Sequence, residues 1–595
     1  MLLMSHIYRT HTCGELRLSD VGTTVRLSGW VQRVRRLGGM VFVTLRDRYG
    51  ITQLTARADR DPDMFNQLNA LKREFVIRAE GVVIERESKN PELPTGDIEV
   101  MVERLDVLNP SKLPPFLIED QTDGGEAQRL RYRYLDLRRP VLQRHFIFRH
   151  RALQTARRYL SDAGFLEIET PFLVRSTPEG ARDFVVPSRL QKGKFYALPQ
   201  SPQLFKQLLM VAGYDKYFQI VKCFRDEDFR ADRQPEFTQI DCELSFVTPE
   251  DIYHIFSGMV KTLFSELLDY DLGEIPLIPY DEAIRRYGID KPDLRFGLEL
   301  QTLPPPENVR SFPPLSDFSP EREALVGIVL PDGARLSRKQ IDGLGAIVKE
   351  APHGLWGAAW IKWEQDGTLR SSVKKFFDAS AQQALMEAAG GKPGDLLVFS
   401  GGPTPRIYEA MGAVRLAAIS LLELKPEKDF AAAWVVDFPL FEWDEENERY
   451  VYSHHPFVMP AKGDFSPDDD LLALKGQCYD FVLNGHELAS GSIRIHQRLL
   501  QEKVFEVLGM SRSEYEEKFR FLLEALEYGA PPHGGIAFGF DRLVALMVDT
   551  PSIRNVIAFP KNNAGQDLML EAPAAIAPEQ LDELGLCLKE EEPQP

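Results

Sequence analysis

The chain has 595 residues, 44% apolar and 27% charged, with a formal net charge of −18. Such a length exceeds one hydrophobic core and predicts three or four domains of about 100–200 residues. No apolar run approaches the roughly 20 residues of a membrane span, the start MLLMSHIYRT lacks the parts of a secretory leader, and five cysteines without CxxC or CxH spacing argue against a zinc site or a disulfide framework, so a reducing cytoplasm is expected.

The charge is unevenly spread. Residues 1–110 hold sixteen Lys/Arg against fifteen Asp/Glu and residues 111–158 eleven against five, so the first 158 residues carry +7 and the remaining 437 carry −25. A polyanion can therefore bind at the front end while the acidic body repels it. Strands are predicted near 25–34, 40–47, 51–57, 75–84 and 97–108, with one helix over 61–72 started by Asp61 and Pro62. Five strands with a helix between the third and fourth match an OB barrel. Phe42 and Gln53 would stand on its strand 2–3 face, with Arg33, Arg35 and Arg36 nearby; ring, amide and cations suit unpaired bases. The alternative is a core Phe42 with solvated arginines. Residues 111–143 read as a linker that turns basic in RLRYRYLDLRRPVLQR, either a nucleic-acid contact or a solvated hinge.

Further along, residues 144–163 form an amphipathic helix with Phe146, Leu153, Ala156 and Leu160 on one stripe, closing at Gly164. FLEIETPFL follows as an extended segment that Pro171 confines to an edge or an interface. After TPEGARDF, the run SPQLFKQLLM starts a helix with Ser201 as N-cap and Pro202 in the first turn. In CFRDEDFRADRQPEFTQIDCELSF, two extended runs flank a loop where Arg225, Arg230 and Arg233 alternate with Asp226, Glu227, Asp228 and Asp232. The second run alternates: Thr238, Ile240, Cys242, Leu244 and Phe246 face a core, while Phe237, Gln239, Asp241, Glu243 and Ser245 face the other way. Arginine forks suit phosphate and carboxylate oxygens, and a charged hairpin tip is the plain alternative.

Between 291 and 428 the sequence reads as an inserted α+β domain, with helices in LSRKQIDGLGAIVKE and VKKFFDASAQQALMEAA and strands in GLWGAAWIKW and DLLVFSG. Adjacent His454 and His455, if extended, point to opposite faces and do not share a metal. Asp480 and Glu487 meet only if their strands fold back, and would then hold Mg²⁺ against phosphates. GGIAFGFDRLVALM reads as glycine-rich strand, turn and helix, with Gly539 admitting a close approach and Arg542 at the mouth; it is neither GxGxxG nor a P-loop.

Taken in order, these blocks resemble the three signature motifs of class II aminoacyl-tRNA synthetases. FLEIETP is similar to motif 1, FRDEDFRADRQPEFTQID to motif 2 and GGIAFGFDRL to motif 3. The OB domain narrows the resemblance to the aspartyl, asparaginyl and lysyl branch. TPEGARDF, SPQLFKQ, RQPEFTQID, HHPF, ELASGSIRIH and the large insertion are similar to the bacterial-type aspartyl-tRNA synthetases, and the resemblance covers nearly the whole chain. It implies an α+β multidomain fold: an anticodon-binding OB barrel (1–110), a basic linker (111–143), an antiparallel-sheet catalytic core in two parts (144–290 and 429–570), the inserted domain (291–428) and a tail (571–595).

The resemblance also implies ATP-dependent activation of L-aspartate and its transfer to tRNA(Asp), by a homodimer joined through motif 1. It gives Arg225 the α-phosphate and the aspartate carboxylate, Glu227 the adenine amino group, Phe237 an adenine face, and Arg542 the other face and the γ-phosphate. Asp226, Gln234, Glu487, Gly539, Phe540 and Asp541 complete the ATP site, and Asp480 and Glu487 hold Mg²⁺. Lys206 and Arg494 grip the substrate side chain, while Glu179, Ser201, Gln203, Asp241 and His454 frame the amino-acid site. Arg35, Phe42 and Gln53 match anticodon-reading positions. The sequence departs from the family at Phe540 (usually leucine) and at ELASGS (more often a glycine triplet), which bear on pocket shape, and at Arg36 (frequently aspartate), which bears on tRNA choice, so tRNA(Asn) is carried as a second acceptor. The rival readings are an asparagine synthetase built on the same core and a non-catalytic tRNA-binding paralogue.

Overall fold

Strict alternation in the front end closes a barrel. In the computed structural model, which describes residues 7–177, 180–227, 232–350, 352–466 and 468–589, the strands are β1 (Thr24–Leu37), β2 (Met40–Arg46), β3 (Ile51–Arg57), β4 (Val76–Glu85) and β5 (Ile98–Asn109), with helix α1 (Pro62–Asn69) between β3 and β4. Every second side chain, Val25 and Leu27 of β1, Val41 and Val43 of β2, Leu54 of β3, Ile77 and Ala79 of β4 and Val100 of β5, points into one core. The strands pair in the order β1-β2-β3-β5-β4 as a closed barrel. Asp61 caps α1 by accepting from the Met64 amide, and the helix buries Met64, Phe65 and Leu68 against the barrel.

The chain folds as two compact units, one built from the chain up to Ile147 together with Arg554–Ala574, the other from Phe148–Ile553 and the chain from Ala575 onward. Within the first, the basic stretch after residue 125 carries short helices Glu126–Arg131 and Arg133–Asp136. Several of its arginines are structural. Arg133 is buried and donates to the carbonyls of Arg554, Ile557 and Ala558 and to Asp136. Arg139 donates to Asp136 and to the carbonyls of Glu119 and Asp120, and Arg138 pairs with Glu74 and lies over the Trp30 ring. Sequence pattern cannot tell such clasps from a solvated or RNA-facing stretch, because the carbonyls they satisfy lie some 420 positions away.

The second unit is built on an eight-stranded sheet, in the order Leu277–Pro279, Ala432–Val436, Cys478–Leu483, His486–Ile493, His533–Gly539, Glu236–Ser245, Lys216–Phe224 and Leu166–Glu167. All neighbours are antiparallel except the two edge strands. Leu166–Glu167 is one of those edges, as the proline that follows it requires. The helix predicted from Ser201 runs over Gln203–Val211; Pro202 precedes it, and the Ser201 hydroxyl accepts from the Gln203 amide.

The insertion is a five-stranded antiparallel sheet, Leu300–Leu303, Glu323–Leu330, Leu396–Pro403, Ala359–Trp363 and Leu369–Ser371. One face carries Val326, Ile328 and Val398 against helices Arg338–Lys349 and Arg406–Leu421. The other carries Leu325, Leu397 and Phe399 against helix Ala379–Ala388. Helix Arg406–Leu421 and three of the strands were not predicted; largely apolar, mostly buried runs such as Glu323–Leu330 show no alternation to read. Arg415 on that helix is fully buried, donates to the carbonyls of Leu298, Asp293 and Phe296 and lies over the Tyr287 ring. Arg415→Ala strands these carbonyls and is expected to lower stability by about 3 kcal/mol or more, measured as a shift in the denaturant midpoint; an unchanged midpoint would show that the clasp is dispensable.

Candidate active site

The polar face of strand Glu236–Ser245 forms one wall of a cavity of about 570 Å³. At its deep end four charges meet. Lys206, from helix Gln203–Val211, is 2% exposed, and Asp241, Glu243 and Arg494 are each at or below 1%. The Lys206 Nζ donates to Asp241 at 2.8 Å and lies 3.4 Å from Glu243. Arg494 grips Glu243 through Nε and Nη2, at 2.9 and 3.1 Å. Its Nη1 donates to the Ser492 hydroxyl and sits 2.7 Å from His455 Nε2.

Burial pushes the Asp241 carboxyl up to about 6, against the pull of Lys206. Burial also works against the charge on Glu243, but Arg494 and then Lys206 outweigh it and hold this group below its ordinary value. The difference has a geometric cause: Glu243 has two cations, whereas Asp241 has one and its Oδ1 is buried without a partner. The Gln203 amide nitrogen is likewise buried and unpartnered. A donor and an acceptor left open in the same cavity suit a ligand carrying both a cation and an anion.

Towards the mouth, Arg225 lies over the Phe237 ring at 5.2 Å. Glu227, Gln234, Gly539 and Arg542 line the same space. Arg542 donates to the Glu487 carbonyl at 2.7 Å and approaches Asp232 at 3.7 Å, while Arg233 approaches Glu227 at 3.3 Å. Asp480 and Glu487 are brought together because strands Cys478–Leu483 and His486–Ile493 form a hairpin with a bulge at Phe481/Val482. Burial first, and then the Asp480 charge, raises the Glu487 carboxyl, which accepts no hydrogen bond among the described residues. A mutually repelling carboxylate pair with spare oxygens fits a hard divalent cation.

His454 Nε2 lies 3.2 Å from Asp480. Burial opposes the imidazolium, but Cys478 and Asp480 hold its pKa well above the ordinary value. His455 behaves oppositely: burial, then Arg494, keeps it well below. The two rings are not on opposite faces. The chain bends there, and both line the cavity.

Of the sequence-predicted residues, Ser201, Gln203, Lys206, Arg225, Glu227, Gln234, Phe237, Asp241, His454, Glu487, Arg494, Gly539, Asp541 and Arg542 share this cavity. Asp480 sits behind it on His454. Asp541 lends its oxygens to Arg149 and to the Thr238 amide. Phe540 is fully buried beneath the Arg149 guanidinium and does not face the cavity. Asp226 lies off the wall, in a bridge with Arg182. Glu179, Asp228 and Arg230 lie outside the described residues. Glu243 and His455 were missed; Glu243 stands on the same alternating face as Asp241, so its position was legible and its partner was not. In the barrel, Arg35 lies 5.5 Å over Phe42. The Gln53 amide is held between Glu99 and Arg86.

Comparison with known proteins places these features. Residues 125–563 match the family of class II tRNA synthetases (D, K and N), and residues 25–108 match the OB-fold nucleic acid binding domain. The chain is 51% identical to an aspartate–tRNA ligase of Amoebophilus asiaticus and 52% to one of Bacteroides fragilis, each over 98% of this chain and 99% of theirs. Its fold is similar to that of an asparaginyl-tRNA synthetase from Pyrococcus horikoshii complexed with asparaginyl-adenylate (TM-score 0.58, 20% identity, 92% of this chain and 97% of that one). It is also similar to an aspartyl-tRNA synthetase from Entamoeba histolytica (TM-score 0.57, 18% identity, 92% and 91%).

Glu243→Gln removes the carboxylate that both Arg494 and Lys206 face. Two buried cations then share Asp241 alone, and a loss of roughly 3 kcal/mol is expected, read from thermal or denaturant unfolding. A stability within about 0.5 kcal/mol of the parent would show that the cations do not depend on Glu243.

Proposed function

The chain belongs to the aspartate–tRNA ligases among the class II tRNA synthetases, and from that premise we propose that the cavity activates L-aspartate with ATP and passes it to the terminal ribose of tRNA. The observation that carries the reading is the deep pair of cations, Lys206 and Arg494, beside an open carboxylate oxygen on Asp241. Aspartate offers a side-chain carboxylate to the cations and an ammonium to Asp241. Asparagine offers these cations a neutral amide, a weaker acceptor than a carboxylate whose NH2 group would face them, and lysine is repelled.

ATP lies toward the mouth, its adenine stacked on Phe237 with Glu227 at the amino group and Arg542 on the other face. The α-carboxylate of aspartate attacks the α-phosphorus, forming the C–O–P bond as the bond to pyrophosphate breaks. A terminal ribose hydroxyl of tRNA then attacks the acyl carbon and AMP leaves. Neither step needs a protein nucleophile; the residues position the reactants and stabilise charge, with Arg225 at the α-phosphate and Arg542 at the γ-phosphate. Asp480 and Glu487 would hold Mg²⁺, which neutralises phosphate charge when bound. Arg35, Phe42 and Gln53 read the anticodon, with tRNA(Asp) the acceptor and tRNA(Asn) a second one. Exposed Leu166 on the edge strand, with exposed Phe172 and Leu173 after it, supports a homodimer through this segment. No helix among the described residues is long and apolar enough to cross a membrane, and the scattered cysteines favour a cytoplasmic enzyme.

The deciding assay is aspartate-dependent exchange of pyrophosphate into ATP, followed by charging of tRNA(Asp) and tRNA(Asn); no exchange with aspartate would sink the reading. Arg494→Leu is expected to abolish aspartate activation with little change in ATP affinity, and retained activation would refute the pocket assignment. A pH dependence follows as well. With its carboxyl raised to about 6, Asp241 is neutral below that pH and cannot pair with the substrate ammonium. Aspartate affinity in the exchange assay should therefore be full above about pH 7 and weaken about tenfold by pH 5. The same profile in Asp241→Asn would remove Asp241 as its source.

A further inference from the structure

A cavity of about 630 Å³ in the barrel unit includes none of Arg35, Phe42 and Gln53 and is bounded by Arg33, Lys72, Arg73 and Lys112, with Val34, Leu71, Ser111 and Leu113 between them. All four cations are exposed. Among the described residues none of them forms an ion pair or donates a side-chain hydrogen bond. The adjacent carboxylate, Glu74, is buried and committed to Arg46 and Arg138. By contrast, the neighbouring Arg35 and Arg36 lie over the Phe42 and Phe65 rings. Four like charges around one concavity repel one another and raise a positive potential there, an arrangement that an anionic partner stabilises.

The register ties this cavity to the face proposed above to read bases. A bulge between Val31 and Arg33 shifts the alternation of β1, so that Val34 turns inward and Arg33 and Arg35 turn outward together, about 7 Å apart along the strand. Arg35 stands opposite Phe42; Arg33 stands opposite Thr44, which in turn stands opposite Gln53. Arg33 is thus both the end of the row that holds Gln53 and a wall of the cationic cavity. Lys72 and Arg73 come from the turn after α1, and Lys112 from just beyond β5.

We propose that this cavity holds the phosphate backbone of the RNA arm whose loop lies on Phe42 and Gln53, supplying sequence-independent affinity beside the base-reading face. The proposal rests on the tRNA reading above and adds the place and chemistry of a second RNA-binding surface. Backbone phosphates suit it because the cavity offers unpaired cations and no carboxylate, and has no exposed ring on which a base would stack.

The test measures binding of the full-length chain to two RNAs, an unmodified tRNA(Asp) transcript and a stem–loop of its anticodon arm, over a range of salt. Combined Lys72→Ala, Arg73→Ala and Lys112→Ala substitution should weaken both RNAs roughly tenfold or more at about 0.1 M salt. It should also make the slope of log affinity against log salt shallower by about 2, near 0.7 for each phosphate no longer neutralised. Lys112→Glu alone, in an exposed segment, should move both quantities the same way and guards against a folding defect in the triple variant. Unchanged affinity and slope would overturn the proposal, as would weaker affinity with an unchanged slope, or a weakening seen with the whole tRNA and not with the stem–loop. Aspartate-dependent exchange by the unsubstituted chain is measured in parallel. Its absence would remove the ligase reading, while the RNA slopes would still decide the backbone site.

Discussion

Four ionic side chains with almost no access to water set the terms for the second unit. Moving one such group out of water costs several kcal/mol, and the attraction of a partner offsets this only at short range and in good geometry. Lys206, Arg494, Asp241 and Glu243 meet that demand collectively, two charges of each sign within 2.8–3.4 Å of an opposite neighbour. The cations come from a helix and from the residue that follows a strand more than 280 positions later, so the sheet must hold its register for the pairs to exist. Asp241 and Glu243 share a face because they are two apart on one strand. A slip of one residue would turn that face into the core and bring Ile240 and Cys242 into the site.

The strand beside them is built to allow this. Glu243 stands opposite Gly535. A Cβ there would lie 1.9 Å from a Glu243 oxygen and 2.2 Å from the Cys242 carbonyl, so any larger residue would have to displace the carboxylate or part the strands. Gly491, opposite Ile536, is closed in the same way, 2.1 Å from the Gly535 carbonyl. The glycine-rich character of GGIAFGF had pointed to a close approach at Gly539, which lines the cavity and where a Cβ meets no protein atom nearer than 3.6 Å. The glycine that the charge cluster itself needs lies four residues earlier, at Gly535, where the neighbour is the Glu243 side chain.

What was legible in the sequence follows the range of the forces involved. The barrel strands and the polar face of Glu236–Ser245 are periodic patterns, fixed by local geometry, and the alternation of Phe237, Gln239 and Asp241 placed them on one wall. Asp61 capping α1 is a contact across three residues. What was not legible depends on distant partners: the ion pairing of Lys206 is hidden because Asp241 is 35 residues away, and Arg133's stretch stayed open between a nucleic-acid contact and a solvated hinge because its carbonyls are beyond residue 550. Phe540 and Asp541 adjoin Arg542, yet the helix turn sends Phe540 into the core and commits the Asp541 oxygens to Arg149 and Thr238. Adjacency in a motif does not give adjacency in a site.

The two ends of the cavity differ in how firmly their charges are held, and the difference suits two substrates of unlike character. Near the mouth, Arg233 with Glu227 and Arg542 with Asp232 are partly exposed pairs at 3.3 and 3.7 Å, a class worth about 0–1 kcal/mol each. A triphosphate, with several charges and strong acceptors, can displace such carboxylates at little cost. At the deep end the cations are fixed by buried partners before any ligand arrives, so they cannot relax around a wrong one. Asparagine in that place sets an amide, with its NH2 donors, against cations that cannot move to avoid it. On the reading proposed above, discrimination belongs to the rigid end and capture to the loose one, and both follow from where the same few residue types stand relative to solvent.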